Sequence, residues 1–242
     1  MQGERLQKIQ TNDGSFTLKS EKYNECYHSS EGAVRESLYK HIYPSFSVIK
    51  KKEINILDIC FGLGYNTFLS VLNRPKGVKL NLFSPEMDES LVRNLKKFPY
   101  PEEFEKIRHI IKKVSKNFYY EDEWIKIELF IGDAREYIKK LKNIDIVYQD
   151  AFSPKVNKEL WTMEYFTQIK KILNKNGIIT TYSVATPVRC ALYKLGFKLY
   201  THNTDKIRKG TIASFADLPF KKVDFEEKLR RVDCYYYKDE RV

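Results

Sequence analysis

INILDICFGLGYNTFLSVLN, residues 54–73, decides the fold. The apolar run INILDIC (54–60) ends in a glycine-containing loop, FGLGYN, and passes into the helix-like stretch TFLSVLN. Strand, tight turn and helix in that order make the first half of a βαβ unit. The unit recurs downstream. VKLNLFS (78–84) runs to Glu86 and precedes helical segments from Met87 to Lys97 and from Pro101 to about Lys116. IKIELFI (125–131) ends in Gly132-Asp133 and leads into a helix over Arg135–Leu141. IDIVYQ (144–149) ends in Asp150 before a helix over Lys158–Leu173, and GIITTYS (177–183) ends near Pro187 before a helix over Val188–Leu195. Strands apolar along their whole length and alternating with helices predict a parallel sheet covered on both faces.

The last two strands differ. GFKLYTH (196–202) and GTIASFA (210–216) are separated only by NTDKIRK, too short for a helical crossover, so they are expected to pair antiparallel. Five parallel units closed by an antiparallel hairpin resemble the class I S-adenosylmethionine (AdoMet)-dependent methyltransferase fold, a Rossmann-like α/β sheet of seven strands. Residues 1–50 read as a polar N-terminal segment packing near the cofactor site, with a turn at Asn12-Asp13-Gly14 and a helix through Gly32–Tyr43 that Pro44 is expected to stop. Residues 51–220 form the methyltransferase domain. The tail 221–242 is charged but carries Phe225, Leu229 and CYYY (234–237), which suit a docked helix or strand.

In open α/β sheets, ligands bind beyond the C-terminal strand ends near the switch in strand order. Here those ends carry Asp58 through Gly64, Glu86, Gly132-Asp133-Ala134 and Asp150. Gly62 and Gly64 let a ligand approach the backbone. A carboxylate at Glu86 suits both hydroxyls of a ribose, and Asp133 suits an exocyclic adenine amine. Singly, each has a plainer explanation: glycines mark turns, and acidic residues cap helices. Their joint placement at successive strand ends is harder to explain as capping and points to a nucleoside-containing ligand. A dinucleotide site needs GxGxxG, but Asn66 and Thr67 stand where the third glycine belongs. AdoMet, which has no phosphate, tolerates that.

The most informative segment is IDIVYQDAFSPKVNKELWT (144–162). Asp150 falls where methyl donor and acceptor would meet. Phe152, Ser153 and Pro154 make a rigid turn, and Lys155 and Lys158 add positive charge. Asp150 as a helix cap and Trp161 as core filling would explain either residue alone, not the whole string.

Here the chain resembles the methyltransferase half of the bifunctional tRNA 5-methylaminomethyl-2-thiouridine biosynthesis protein (MnmC), especially stand-alone relatives lacking its FAD-dependent oxidase domain. The resemblance runs through 13–37, LDICFGLGYNTFLS (57–70), SPEMDE (84–89), GDAREYI (132–138), QDAFSPKVNKELWT (149–162), 177–197 and RKGTIAS (208–214). It implies methyl transfer from AdoMet to the exocyclic amine of 5-aminomethyl-(2-thio)uridine at the tRNA wobble position. By the family pattern, Asp58, Gly62, Gly64, Glu86, Asp133, Ala134 and the Tyr27–Ser29 segment hold the cofactor, and Asp150 is catalytic. No FAD is expected. One departure stands out: the family loop reads D-x-G-x-G-x-G, and Cys60 replaces the first glycine, which bears on AdoMet affinity.

The formal net charge of +11 suits a polyanionic partner such as tRNA, but a Lys- and Glu-rich composition of the kind found in heat-adapted proteins accounts for it equally well. Candidate contacts to the anticodon arm are Lys155, Lys158, Arg189 and the hairpin residues Lys206, Arg208 and Lys209, with Phe152 as a platform for an unstacked base. For each lysine taken alone, a solvated surface charge is the simpler reading. Two rivals remain. An aminopropyltransferase of the spermidine-synthase type shares the fold, but its D-x-x-D diamine grip is absent after Asp150, where AFSP follows. A non-catalytic tRNA-binding protein is favoured only by Cys60. The four cysteines are scattered without CxxC pairs, so neither a metal site nor a disulfide framework is expected. No apolar run approaches the roughly 20 residues of a membrane span, and no secretory signal opens the chain, so a cytoplasmic location is expected.

Overall fold

The computed structural model describes residues 6–201, 204 and 206–239. The N-terminal segment folds into a three-stranded antiparallel sheet of β1 (Leu6–Gln10), β2 (Phe16–Ser20) and β3 (Glu25–Cys26). The predicted turn at Asn12-Asp13-Gly14 joins β1 to β2, with Gly14 N–H donating to Thr11 O at 3.0 Å. The Asp13 carboxylate also accepts the backbone N–H of Arg35, which ties this hairpin to the following helix.

That helix does not stop at Pro44. It runs as α1 (Ala33–Glu36), a π-helical turn (Ser37–Ile42) and α2 (Tyr43–Val48). A proline ring collides with the carbonyl four residues back and offers no N–H. The wider turn absorbs this: Tyr43 N–H reaches five residues back to Leu38 O.

The main sheet follows from the alternating units. Its parallel centre is β4 (Glu53–Ile59), β5 (Lys79–Glu86), β7 (Ile125–Ile131), β8 (Ile144–Gln149) and β9 (Leu173–Thr181). The expected antiparallel hairpin is β10 (Lys198–Thr201) and β11 (Thr211–Ser214), and β11 pairs with β9. His202, Asn203 and Asp205, between them, lie outside the described residues. Two short edge strands, β6 (Tyr119–Glu121) and β12 (Lys221–Lys222), raise the described strands of this sheet to nine, where the sequence predicts seven. Segments of two or three residues are too brief to show a strand period. The order is β12-β10-β11-β9-β8-β4-β5-β7-β6, so the chain reverses its direction of travel across the sheet between β4 and β8.

Alternation along β4 divides the core. Ile54 and Ile56 pack into one apolar cluster with Leu80, Leu82 and the aromatic group Tyr65, Phe68 and Phe104; Leu57 and Ile59 pack into the other with Val147, Trp161 and Phe166. Helices α3 (Tyr65–Leu72), α4 (Glu89–Asn94), α5 (Arg108–Asn117), α6 (Ala134–Ile138), α7 (Met163–Ile172) and α8 (Thr186–Lys194) cover the faces. The helix predicted from Lys158 begins at Met163, with the Thr162 hydroxyl accepting the N–H of Tyr165 as its cap. The tail docks through α9 (Phe225–Leu229), where Phe225 is buried, and through a backbone bond from Met163 N–H to Tyr237 O.

That docking overturns the expectation that the cysteines form no disulfide. Cys234 is bonded to Cys190 on α8, with Cα atoms 5.7 Å apart, while Cys26 and Cys60 are free. The two partners are separated by 44 residues, and only the path of the tail over α8 brings them together. Among the described residues no helix is long and apolar enough to cross a membrane.

Candidate functional site

A cavity of about 1200 Å³ opens at the C-terminal ends of β4, β5, β7 and β8, at the reversal of strand order. Of the expected cofactor residues, Tyr27, Ser29, Gly62, Glu86, Asp133 and Ala134 line it, as do Asp150 and Phe152. The N-terminal segment forms the roof. The Glu25 carboxylate accepts the Ser153 N–H at 2.9 Å and the Ser153 hydroxyl, and the Phe152 ring packs between Tyr23 and Tyr27 at 5.2 and 5.0 Å.

The loop after β4 is built on left-handed backbone. Cys60, Gly62 and Gly64 have φ of 64°, 53° and 71°. A Cβ on Gly62 would sit 2.9 Å from the Tyr27 ring, so only glycine lets the roof close over this bare backbone. Gly64 has a packing role: a Cβ there would meet Phe68 at 2.5 Å, and the residue is not among those lining the cavity. Cys60 adopts a left-handed conformation that glycine takes freely, at a cost of roughly 1–2 kcal/mol for an L-residue.

Glu86 holds the loop in place. Its Oε2 accepts the Gly62 N–H at 2.8 Å, and its Oε1 accepts those of Met87 and Asp88 at 2.7 and 2.9 Å. Burial pushes this carboxyl upward, and the three N–H groups pull it part of the way back. Asp133 caps α6 and is gripped by Arg135, whose Nη2 lies 2.7 Å away; that partner holds the carboxyl below its ordinary range.

Asp58 stands behind the cavity wall, fully buried, and does not line it. Its carboxylate accepts the Thr67 hydroxyl at 2.8 Å and the Asn66 amide at 3.3 Å. The same Asn66 amide donates to Asp150 at 2.9 Å. Asp58 therefore positions the side chain that positions Asp150. Burial pushes the Asp58 carboxyl up to about 8 despite those two bonds. A folded-state value raised from the usual carboxylate range means the folded chain holds a proton that the unfolded chain releases, so stability falls as pH rises from about 4 to about 8. For the AdoMet-free protein, the unfolding temperature is expected to fall more steeply between pH 5 and pH 8 than that of Asp58→Asn. Parallel curves in a thermal-melt series would contradict this.

Asp150 has a second partner that sequence reasoning missed. His41, from the π-helical turn, places Nε2 3.5 Å from Asp150 Oδ1, and its Nδ1 lies 2.8 Å from the Thr180 hydroxyl. Burial alone would raise the Asp150 carboxyl; the His41 charge and hydrogen bond, then His28 and Asn66, outweigh it and hold the group well below the carboxylate range. His28, also missed, lies in the cavity wall with its ring edge-on to Tyr65, and burial lowers its pKa. The legible trace of this network was Asn66-Thr67, two polar residues in an otherwise apolar helix start.

The expected tRNA contacts are dispersed. Lys155 is exposed on the turn after β8, and Lys158 lies in a short 3-10 turn (Lys158–Leu160). Arg189 turns inward: its guanidinium donates to the Thr211 hydroxyl at 2.8 Å and to Gly210 O, fastening α8 to β11. Lys206 donates to the Tyr39 hydroxyl, while Arg208 and Lys209 are exposed. Because Thr211 pairs with Thr181 and Thr181 with Gln149, this basic loop lies at the cavity end of the sheet.

The sheet order and the cavity at its switch point define a class I AdoMet-dependent methyltransferase. Residues 101–215 match the family described as S-adenosyl-L-methionine-dependent methyltransferase. The crystal structure of MnmC2 from Aquifex aeolicus superposes with a TM-score of 0.85 at 32% identity, covering 99% of this chain and 80% of that one. The chain belongs to the MnmC methyltransferase family. An uncharacterised protein of Methanocaldococcus jannaschii is 31% identical over 221 residues, 88% of this chain and 60% of its own length. The bifunctional MnmC of Leptospira interrogans is 26% identical over 234 residues, and the chain spans only 34% of that protein.

Proposed function

We propose that the protein methylates the exocyclic amine of 5-aminomethyl-(2-thio)uridine at the wobble position of tRNA, with AdoMet as donor. The observation that carries this reading is Asp150: a half-buried carboxylate at the end of β8, held by the Asn66 amide and His41 beside a cavity with nucleoside-sized room. The residues fit AdoMet, since the cradle at Gly62 would be filled by any Cβ and a carboxylate at Glu86 faces the same space. Glu86 would take the ribose hydroxyls, with Asp133, Ala134 and the Tyr27–Ser29 segment around the remainder. Bound AdoMet supplies a methyl group already activated by its sulfonium. The chain's task is then alignment: Asp150 accepts a hydrogen bond from the amine, points its lone pair into the site and offsets the positive charge that develops on nitrogen.

A diamine substrate is less well matched. On the roof side of the cavity the Glu25 carboxylate is engaged by Ser153, and Glu36 by Lys40 and the Ser29 N–H, which leaves both less open to a second ammonium. The aromatic trio of Tyr23, Tyr27 and Phe152 suits a flipped-out base.

The test uses tRNA from cells blocked before the final methylation, incubated with the protein and labelled AdoMet, with nucleosides identified by mass. Conversion of the aminomethyl to the methylaminomethyl nucleoside is expected. AdoMet binding without transfer to this tRNA would reject the acceptor. The basic loop gives a second expectation: replacing both Arg208 and Lys209 by Ala weakens tRNA binding and lowers the salt slope by about 2, leaving AdoMet affinity unchanged. An unaltered slope, read from tRNA binding at a series of salt concentrations, would place the tRNA elsewhere.

A further inference from the structure

Asp150 raises a difficulty that the proposed reaction must overcome. An aliphatic amine enters as an ammonium, which has no lone pair to attack with, and a neighbouring carboxylate stabilises that cation. A bare carboxylate would orient the substrate and disarm it together.

The groups around Asp150 decide which cation it holds. From β4 comes Asp58, pushed up to about 8 and so largely uncharged at neutral pH. From the loop after β4 comes Cys60, whose thiol is pushed far up by burial. From α3 comes the neutral amide of Asn66. Tyr182, just beyond β9, is a phenol raised by burial. On the roof, Glu25 is bound to Ser153 and His28 is disfavoured as a cation by burial. Lys40, immediately before His41, is paired with Glu36 one turn earlier. Among the described residues, His41 is the group placed to present a cation directly to Asp150, with Nε2 3.5 Å from Oδ1. Its ring is 1% exposed and held from both sides, by Thr180 at Nδ1 and Asp150 at Nε2.

We propose that His41 is a positioning residue: its imidazolium occupies the charge of Asp150, so that the substrate amine is bound as the neutral nucleophile. The inference rests on an amine acceptor, as argued above. The proton balance is closed. The ammonium gives up one proton as His41 gains one, leaving the cluster's total unchanged. The nitrogen lone pair then forms the N–C bond as the C–S bond breaks, its electrons remaining on sulfur, and the positive charge passes to nitrogen. The alkylated nitrogen afterwards loses a proton to solvent.

The experiment compares the pH dependence of kcat at saturating AdoMet for wild type and His41→Gln on the aminomethyl tRNA, with AdoMet affinity measured by calorimetry. Without the imidazole, the neutral amine forms only when the whole cluster is deprotonated. The acidic limb is therefore expected to move up by about one pH unit or more, with kcat approaching wild type at the alkaline plateau and AdoMet affinity unchanged. A uniform loss at every pH, or an unmoved limb, overturns the inference while leaving the proposed function intact. Failure of wild type to methylate this tRNA overturns both. Should His41→Gln not fold, histidine NMR titration of wild type against Asp150→Asn reads the same pair. The His41 midpoint is expected to fall in the variant, and an unchanged midpoint overturns the proposal.

Discussion

Asp150→Asn is expected to lower the rate of methyl transfer by about 10³-fold, the middle of the range for losing a positioned acid–base or electrostatic group. The substitution keeps the shape of the side chain while removing its charge. The asparagine carbonyl can still accept the Asn66 amide, so the wall of the cavity stays in place. What disappears is the acceptor that directs the amine lone pair and the charge that meets the developing cation. AdoMet affinity is expected to stay within about threefold, because the proposed contacts to adenosine lie at Glu86, Asp133 and the Gly62 loop, at other strand ends. Single-turnover rates and calorimetric Kd values for both proteins decide the matter. Loss of AdoMet binding in proportion to the loss of rate would show that Asp150 holds the donor instead of aligning the acceptor. Asp150→Ala is the poorer probe, since it strands a buried amide and a buried imidazole, each worth about 1–3 kcal/mol if unsatisfied.

Glu86→Ala is expected to have the opposite signature: AdoMet affinity about 10²- to 10³-fold weaker, with kcat at saturating AdoMet close to wild type. Two charge-assisted bonds to ribose hydroxyls at about 1.5 kcal/mol or more each account for that range. Glu86 also receives the Gly62, Met87 and Asp88 N–H groups, so its loss frees the turn against which the donor would lie. A titration showing unchanged Kd, or a kcat that does not recover at saturation, would remove Glu86 from the nucleoside contact. Together the two substitutions separate binding from chemistry, one moving Kd alone and the other the rate alone.

Much of this site could be read from residues 54–73 and the strand ends after them. Apolar runs ending in Asp, Glu or Gly report a buried parallel strand whose C-terminus meets a ligand, and β4, β5, β7 and β8 deliver Gly62, Glu86, Asp133 and Asp150 to one cavity for that reason. Asp58 and Gly64 carry the same local signature, yet they face the wall behind the cavity. Which way a residue near a strand end points depends on the pleat and on the turn that follows, and Gly64 is already at the first turn of α3. The three-stranded N-terminal sheet was not legible either: β1 is half exposed and β3 has two residues, so no period of two develops.

His41 marks the limit most clearly. Its sequence neighbourhood, SLYKHIYP, reads as an amphipathic helix about to end. A π-helical turn shifts the register by one residue and carries the chain through Pro44, and register alone decides which face of the helix a side chain occupies. The ring then meets Thr180, 139 residues away, and Asp150 across the sheet. Cys190 and Cys234 meet in the same way, across a docked tail. Local hydrophobic period and strand-end chemistry thus determined from sequence alone the parallel strands and their hairpin, and the acidic residues at the edge where the cavity opens, because those signals are written within single elements. The tertiary structure alone decided which polar groups surround Asp150, because their partners come from separate elements and their charges act on one another only once packing has removed the water between them.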